Sequence, residues 1–236
     1  MYPKVVIDLE KLSHNAHQLS RMAAERGVTE LAFVTKVFCA DTEMVRTIAA
    51  SPCRYLADSR VENLARSGGM GKERILLRLP MPSQAAEVVR AAEISFNSEQ
   101  ATLRALSQAA REAGLVHKVV LMIDLGDLRE GIFFRNEALL LETAAMAEAD
   151  PNLELFGTAF NLTCYGPVLP SEENLAAFLE MTEKIEKQIG RRLPFISGGN
   201  SSSLPLLLAG KMPGRVNNLR LGQPLVPGRE TAYGAH

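Results

Sequence analysis

The sequence has few cysteines, and none of them shows the paired spacing that binds metal. Its 236 residues include only Cys39, Cys53 and Cys164, an odd number without a Cys-x-x-Cys pair. This argues against a disulfide framework and against a zinc knuckle, so we expect reduced thiols and no metal site. With 47% hydrophobic and 22% charged residues, the composition is typical of a globular protein with its own core.

The chain also lacks long apolar runs and any excess of one charge. There is no stretch of the roughly 18 apolar residues that a membrane helix needs. Lys4, Asp8 and Glu10 interrupt the amino-terminal segment that a signal peptide would keep apolar. The 26 Lys and Arg residues nearly balance the 27 Asp and Glu residues, for a net charge of −1. We therefore expect a cytoplasmic protein that binds neither nucleic acid nor membrane.

Short runs of branched residues alternate with helix-period segments, which is typical of βα units around a parallel sheet. Strands are predicted at Leu31–Thr35, Arg54–Ala57, Ile75–Leu79, Ile94–Asn97, Lys118–Asp124, Glu154–Phe160, Pro194–Ser197 and Val216–Leu219. The clearest helices are predicted at Glu99–Ala113, Asn136–Glu148 and Glu172–Gly190, where apolar residues recur every three or four positions. Eight such repeats in about 200 residues predict a closed (β/α)8 TIM-type barrel.

Two segments fall outside these repeats. The first is a strand predicted at Val5–Asp8 followed by an extra helix at Leu9–Arg26. The second is the closing segment Leu225–Thr231, whose proline is consistent with a path out of the barrel. Residues 1–225 are predicted to form one barrel domain, and residues 226–236 the start of a link to a further domain.

Chemistry in such a barrel lies at the carboxyl ends of the strands, so the polar residues there are the candidate site. The positions expected to converge are Lys36, Asp58, Arg129, Asn161, Ser197–Ser203 and Arg220. The apolar stretch around Lys36 would partly desolvate its ammonium and leave a neutral amine able to form a Schiff base. The alternative is a lysine that only extends from a strand end into solvent.

A second candidate is the segment Ile196–Leu204, which reads Ile-Ser-Gly-Gly-Asn-Ser-Ser-Ser-Leu after a strand. Its N–H groups and hydroxyls predict a phosphate site at a helix start, with an ordinary turn and a serine N-cap as the alternative. Seven Lys or Arg residues and no Asp or Glu lie between Lys187 and Arg229, which favours phosphate. An arginine at the last strand end, Arg220, would keep a pyridine nitrogen unprotonated or form an ion pair at the rim.

Five motifs follow one another along the chain. They are the opening Met-Tyr-Pro-Lys-Val-Val-Ile-Asp-Leu-Glu-Lys-Leu, Thr35-Lys36, an Asp-x-Gly-x-x-Arg-x-Gly stretch within residues 123–132, Arg220-Leu-Gly, and Gly228-Arg-Glu-Thr. In this order and spacing they resemble the barrel domain of the alanine racemase family of pyridoxal-phosphate enzymes, most closely its ornithine racemase branch. The resemblance implies an amino acid racemase acting on ornithine or a similar amino acid.

The resemblance also implies roles for individual residues. Lys36 is implied to be the catalytic residue that binds pyridoxal 5'-phosphate, Arg129 to reach the phenolic oxygen of the ring, and Arg220 to face its pyridine nitrogen. Further cofactor contacts are implied for Asn161, Asn200, Ser201, Gly222 and Gln223. The family forms homodimers, in which a tyrosine from the partner subunit's second domain lies on the face opposite the lysine.

The chain departs from the family pattern in three places. Ala40 replaces a tyrosine that helps to hold the phosphate in alanine racemases, and Asn161 replaces a histidine against the ring. The Asn-Leu-x-Cys-Tyr-Gly run that begins at Asn161 resembles the ornithine racemase branch. The sequence ends at His236, where family racemases continue into a β-rich second domain. We expect that domain to be absent and these residues alone to have little racemase activity.

Two other functions compete with a racemase. Non-catalytic pyridoxal-phosphate carriers of the homeostasis type are single barrels of about this length, but their Ser-Met-Gly-Met-Ser run is here Ser-Gly-Gly-Asn-Ser-Ser. A cofactor-free Schiff-base aldolase would leave Arg129 and Arg220 unexplained. Tyr165 and Tyr233 are the nearby candidates for a second proton-transfer residue.

Overall fold

The structure is a computed structural model that describes residues 3–163 and 166–234, and its centre is a ring of parallel strands. The strands are β1 (Ala32–Val34), β2 (Tyr55–Asp58), β3 (Glu73–Leu76), β4 (Ile94–Asn97), β5 (His117–Asp124), β6 (Ile132–Phe133), β7 (Leu153–Ala159), β8 (Phe195–Ser197) and β9 (Arg220–Leu221). They follow the order β8-β7-β5-β4-β3-β2-β1-β9, with the short β6 paired to β5 beside this path. A parallel bridge between Ser197 and Asn218 joins the two ends, so the predicted (β/α)8 barrel is confirmed.

Helices cover the outside of the ring. They are α1 (Leu9–Ala24), α2 (Thr42–Ala49), α3 (Val61–Arg66), α4 (Ala85–Ala91), α5 (Gln100–Ala113), α6 (Glu137–Ala149), α7 (Glu172–Ile189) and α8 (Leu204–Leu208). In α7 a capping box at Ser171 fixes the start, Gly190 ends the helix, and Leu175, Phe178 and Ile185 are buried. The predicted helices, including the extra one before the first barrel strand, are confirmed. Within the described residues, none of these helices has the length and apolar character needed to span a bilayer.

The barrel strands are buried on both faces. In β5, Val120 and Met122 pack into the barrel interior, while Val119, Leu121 and Ile123 pack against the helices. This alternation is why the strand reads as a nearly continuous apolar run. Large side chains fill the interior, so a binding site must lie at an end of the barrel. In barrels of this type it lies at the carboxyl ends of the strands.

The strand predicted at Val5–Asp8 is not formed. Val5 is 87% exposed, and the carboxylate of Asp8 instead caps α1 by accepting hydrogen bonds from the backbone N–H groups of Glu10 (3.0 Å) and Lys11 (3.1 Å). A β-strand needs a neighbour to pair with, and none of the described strands lies beside this segment.

The last predicted strand, Val216–Leu219, is also wrong, because β9 begins at Arg220, just after the predicted segment ends. In the predicted segment, an irregular set of backbone and side-chain hydrogen bonds replaces a regular ladder. The N–H groups of Asn217 and Asn218 both donate to the backbone oxygen of Ile196 at 3.1 Å. In addition, Asn217 Oδ1 accepts from the N–H of Ile196 (2.8 Å), and Asn218 Oδ1 accepts from Ser197 Oγ (2.5 Å). Backbone groups and asparagine side chains therefore close the seam between β8 and β9 together.

A buried histidine makes the stability of this fold depend on pH. His117 begins β5, is 1% exposed, and is hydrogen-bonded through Nε2 to Ser95 Oγ at 2.8 Å. Burial lowers the pKa of His117 to about 4, and the carboxylate of Glu93 opposes this only in part. The folded state thus favours the neutral ring.

We expect the stabilising effect of neutral His117 to be fully present above pH about 6.5 and to be lost as the pH falls toward 4, at a total cost of about 3 kcal/mol. The free energy of unfolding, measured with urea at several pH values between 7 and 4, gives the size of this loss. His117→Gln should flatten that part of the profile, whereas His14→Gln, at an exposed position of α1, should leave it unchanged. Identical profiles for wild type and His117→Gln would contradict the assignment.

Candidate functional site

A cavity of about 600 Å³ opens at the carboxyl end of the barrel strands, a volume typical of cofactor sites. Its lining includes every residue that the sequence predicted to bind a cofactor: Lys36, Arg129, Asn161, Asn200, Ser201, Arg220, Gly222 and Gln223. The structure thus brings these residues to one place. Their individual roles stay predictions.

Lys36 lies two residues after the end of β1, and a buried carboxylate holds the side chain of the residue before it. Thr35 Oγ1 donates to Asp58 Oδ2 at 2.6 Å. The other oxygen of Asp58 accepts from the N–H of Arg60 and from Asn63 Nδ2, both at 3.0 Å. Asp58 is buried and is not among the residues that line the cavity, so the expectation that it faces the site is wrong.

The side chain of Lys36 is exposed, so the predicted desolvation of its ammonium is wrong. The short turn that begins at Lys36 exposes its neighbours as well: Val37 is 51% exposed, and Cys39 is exposed and has a φ of +52°. In the described part of the chain, Lys36 Nζ has neither a hydrogen-bond partner nor an ion-pair partner. The side chain of Lys36 is therefore accessible to a ligand in the cavity.

Arg220 lies in β9 and is 4% exposed. Its Nη1 donates to Ser197 Oγ at 2.5 Å, and its Nη2 donates to the backbone oxygen of Phe160 at 2.7 Å. The guanidinium carbon lies 5.1 Å from the centroid of the Phe96 ring. These contacts hold a permanent positive charge rigidly across the floor of the cavity.

Asn161 connects several candidate residues. Its Nδ2 donates to Glu130 Oε1 at 2.8 Å, while its Oδ1 accepts from Asn200 Nδ2 at 2.6 Å and from Arg220 Nη2 at 3.4 Å. One asparagine amide thereby orients both a carboxylate and a guanidinium at the cavity wall. Glu130 was not predicted, because it occupies a variable position of the Asp-x-Gly-x-x-Arg-x-Gly stretch.

The loop that presents Arg129 and Glu130 is anchored at both ends. At its start, Asp124 Oδ1 accepts from the N–H groups of Gly126 (2.8 Å) and Leu128 (3.1 Å). At its end, Gly131 has a φ of +112°, and a Cβ there would lie 2.7 Å from the backbone nitrogen of Asp124. Only glycine fits this contact.

Gly131→Ala is therefore expected to lower the free energy of unfolding by about 3 kcal/mol, because it adds a steric clash to backbone strain. Gly126→Ala is the matched control, since Gly126 has a φ of +109° but nothing within 4 Å of its added Cβ. That variant should lose only about 1 kcal/mol. Equal losses of unfolding free energy in the two variants, measured by chemical unfolding, would show that Gly131 does not pack against the backbone of β5 as described.

The predicted phosphate segment leads from β8 into a short turn and α8. Asn200, rather than a serine, caps the turn, with its Oδ1 accepting from the N–H of Ser202 at 2.7 Å. Ser201 Oγ accepts from the N–H of Gly222 at 3.4 Å, and a Cβ on Gly222 would lie 3.0 Å from Val34 Cβ. The loops after β8 and β9 therefore approach each other at Ser201 and Gly222, and Gly222 also lies close against β1.

The positive charge of the cavity has a different source from the one predicted. Of the seven basic residues between Lys187 and Arg229, only Arg220 lines the cavity. Four of the others pair with carboxylates elsewhere: Arg191 with Glu148, Arg192 and Arg215 with Glu186, and Lys211 with Glu172. The cavity cations are Lys36, Arg60, Arg78, Arg129 and Arg220, and Glu130 is the one carboxylate among the described lining residues.

The sequence did not identify Arg60 and Arg78, although each follows a barrel strand by two residues. The third strand was expected to run to Leu79, which placed Arg78 inside it. Since β3 ends at Leu76, Arg78 lies instead in the loop at the cavity. With the strand ends placed correctly, the position of Arg60 and Arg78 just after a strand would have identified both as candidate site residues.

The closing segment does not lead away from the barrel as expected. Pro227 and Thr231 line the cavity, and the buried carboxylate of Glu230 accepts from the N–H groups of Ala232 (2.5 Å) and Tyr233 (2.8 Å). The side chain of Tyr233 is 71% exposed and does not line the cavity. The other candidate tyrosine, Tyr165, lies outside the described residues, as does Cys164.

Residues 7–226 match the family described as alanine racemase, N-terminal domain. The chain is 41% identical over 234 residues to ornithine racemase from Acetoanaerobium sticklandii, covering 99% of the chain and 65% of that protein. It is 34% identical over 232 residues to lysine racemase from Thermotoga maritima, covering 98% of the chain and 64% of that protein. The chain thus spans less than two thirds of the length of these curated relatives.

Solved structures show the same fold. Alanine racemase from Streptomyces lavendulae superposes with a TM-score of 0.76 at 22% identity, covering 93% of this chain and 57% of that one. Alanine racemase from Clostridium difficile in complex with cycloserine superposes with a TM-score of 0.75 at 18% identity, covering 94% and 62%. At these identities the likeness concerns the fold alone.

Proposed function

The chain belongs to the alanine racemase family through its amino-terminal barrel domain, and on that premise we propose that it is a pyridoxal-phosphate-dependent racemase of ornithine or a similar amino acid. The sequence relatives support this choice of substrate, since they are an ornithine racemase and a lysine racemase. The observation that carries the proposal is the convergence of Lys36, Arg129 and Arg220 on one cavity with the loops after β8 and β9. A cytoplasmic location is part of the proposal.

The donor chemistry of the cavity fits pyridoxal phosphate. The cofactor brings a dianionic phosphate, and the lining has five cations against one carboxylate. It also brings an aldehyde, and Lys36 offers an amine without a partner in the described part of the chain. The cavity of about 600 Å³ is large enough for the cofactor and a small substrate together.

The residues then take distinct roles. When bound, pyridoxal phosphate withdraws electrons from an attached amino acid and makes its α-proton acidic. Lys36 would hold the cofactor through its aldehyde and would move that proton on one face of the substrate. Arg220, fixed by Ser197 and Phe160, would donate toward the pyridine nitrogen and keep it unprotonated. Arg129 would donate toward the phenolic oxygen.

The phosphate is assigned to the loops after β8 and β9. The residues proposed to hold it are Asn200, Ser201, Gly222 and Gln223, of which Ser201 and Gly222 are already joined by a hydrogen bond. Binding between the two loops would orient the ring toward Lys36. Asn161 fixes the positions of neighbouring groups through its three hydrogen bonds.

The opposite face of the substrate needs a second proton-transfer residue. No tyrosine occurs among the described residues that line the cavity. In keeping with the family resemblance, we assign this role to a tyrosine of a second domain, supplied by the partner subunit of a homodimer. The division into a barrel of residues 1–225 and a link from residue 226 belongs to this proposal, and the cavity takes residues from both sides of that boundary.

Hydrogen exchange at the substrate α-carbon tests the proposal, because it requires only one base. The 236-residue chain, loaded with pyridoxal phosphate, is incubated separately with L-ornithine and D-ornithine in deuterated water. Mass spectrometry should show α-deuteration of the enantiomer whose α-hydrogen faces Lys36, and chiral chromatography should detect the opposite enantiomer more slowly. If neither enantiomer is deuterated while the protein remains loaded, the racemase proposal is wrong and the chain is a non-catalytic carrier of the cofactor.

A further inference from the structure

A cationic amino acid faces an electrostatic difficulty in this cavity. Five of the lining side chains carry positive charge: Lys36, Arg60, Arg78, Arg129 and Arg220. The cofactor phosphate and the substrate α-carboxylate would offset part of this charge, but a side-chain ammonium would still be repelled unless an anion lay beside it. The cavity therefore needs a local acceptor if ornithine or lysine is the substrate.

We propose that Glu130 binds the side-chain ammonium of the substrate and thereby selects cationic amino acids. This inference rests on the proposed racemase function and specifies its substrate class. Glu130 is the one carboxylate among the described residues that line the cavity. A charge-assisted hydrogen bond from an ammonium to a carboxylate is the strongest recognition that this lining offers to a cation.

The hydrogen bonding of Glu130 leaves room for a ligand. Its Oε1 accepts one bond, from Asn161 Nδ2 at 2.8 Å, and a carboxylate has capacity for several more. Among residues 3–163 and 166–234 it forms no ion pair, although Arg129 precedes it in the chain. The side chain is partly exposed at the cavity wall, so an incoming ammonium can reach the second oxygen.

The topology places Glu130 across the mouth from the reactive amine. Lys36 follows β1 and the Glu130 loop follows β5, and three strands, β2, β3 and β4, separate these two in the ring. In a ring of eight, β1 and β5 are opposite each other. A substrate held at Lys36 would extend its side chain across the cavity toward Glu130, and Asn161 keeps the carboxylate in that position.

A pair of amino acids that differ only in the ammonium tests the inference. L-Norvaline has the carbon chain of ornithine without the side-chain amine. Visible absorbance of the loaded 236-residue chain gives the affinity for each, and α-deuteration at saturation gives the rate of proton transfer. Wild type should bind ornithine at least about tenfold more tightly than norvaline, and Glu130→Gln should weaken ornithine binding about 10–100-fold without weakening norvaline binding.

Two further variants serve as controls for the effect of Glu130→Gln on binding. Glu87→Gln changes an exposed glutamate of α4 outside the cavity and should leave both affinities unchanged. Glu130→Asp should retain part of the preference for ornithine. The melting temperature of each variant, measured without substrate, should match that of wild type, so that any change in affinity reports on binding and not on folding.

The outcomes separate the inference from the proposed function. If wild type binds both amino acids and Glu130→Gln weakens neither, or weakens both equally, the assignment of Glu130 is wrong while the racemase proposal stands. Slower deuteration of both amino acids at saturation in Glu130→Gln would make Glu130 a proton-transfer residue and overturn the inference. If wild type binds neither amino acid, the proposed function fails, and the inference fails with it.

Discussion

Replacing Lys36 by alanine is expected to abolish covalent attachment of pyridoxal phosphate, together with the visible absorbance of the loaded protein. Lys36 offers an exposed amine at the cavity, and among the described residues nothing competes for it. Loss of this group should slow α-proton exchange by about 10²–10⁴-fold. Borohydride reduction followed by peptide mapping of wild type should place the pyridoxyl group on Lys36.

Other lysines serve as internal controls, because their ammonium groups are bound to protein oxygen atoms outside the cavity. Lys72 Nζ donates to the backbone oxygens of Ser51 (3.1 Å) and Cys53 (2.7 Å), and Lys118 Nζ pairs with Glu73 at 2.6 Å. Lys36→Ala should unfold at the same urea concentration as wild type, since the side chain makes no described hydrogen bond. A pyridoxyl label on Lys72 or Lys118 would show that the wrong lysine has been assigned.

Arg220→Glu should destabilise the barrel by about 3–5 kcal/mol, because it would bury a carboxylate against oxygen atoms that now accept hydrogen bonds. The guanidinium is 4% exposed and donates to Phe160 O and Ser197 Oγ, so reversing the charge leaves both acceptors facing an anion. Urea unfolding of the cofactor-free protein measures the loss. The effect on the cofactor ring is therefore better tested with a variant that keeps the charge.

Arg220→Lys is that variant. Lysine retains the positive charge but cannot reproduce the planar fork of the guanidinium, so it should lose less stability than Arg220→Glu while still changing the absorbance of the loaded protein. Arg90→Glu, at an exposed position of α4 that makes no described hydrogen bond or ion pair, is the control for charge reversal alone. Equal stability of Arg220→Glu and Arg90→Glu would contradict the buried position of Arg220.

Most of the barrel could be predicted because its strands are buried on both faces. Runs such as Ile94–Asn97 match the observed β4 residue for residue, since apolar side chains are required inside and outside alike. The errors occur where regular strand pairing is absent. Val5–Asp8 has an apolar pattern but no described neighbouring strand, and Asn217 and Asn218 combine irregular backbone bonds with side-chain bonds.

The positions of the candidate site residues could be predicted from strand ends, but their surroundings could not. Apolar neighbours in sequence indicated a desolvated Lys36, yet a turn after β1 exposes it. The basic stretch after Lys187 indicated a positive field, yet Arg191 and Arg215 are paired with carboxylates outside the cavity. The pairing of charged side chains depends on contacts between segments that are distant in sequence. Glu130 accordingly became a candidate only when the fold placed it opposite Lys36.

The seam between β8 and β9 is where the barrel is expected to open first. It is closed by one bridge, a few irregular backbone hydrogen bonds and the side chains of Asn217 and Asn218, and β9 has only two residues. A ladder therefore protects fewer amide protons here than between β5 and β7. The loops on either side of this seam meet at Ser201 and Gly222, where an anion would connect them. A bound phosphate would then hold the two sides of the seam together and stabilise the closed barrel. Amide protons of β1 and β9 should therefore exchange more slowly once phosphate is bound.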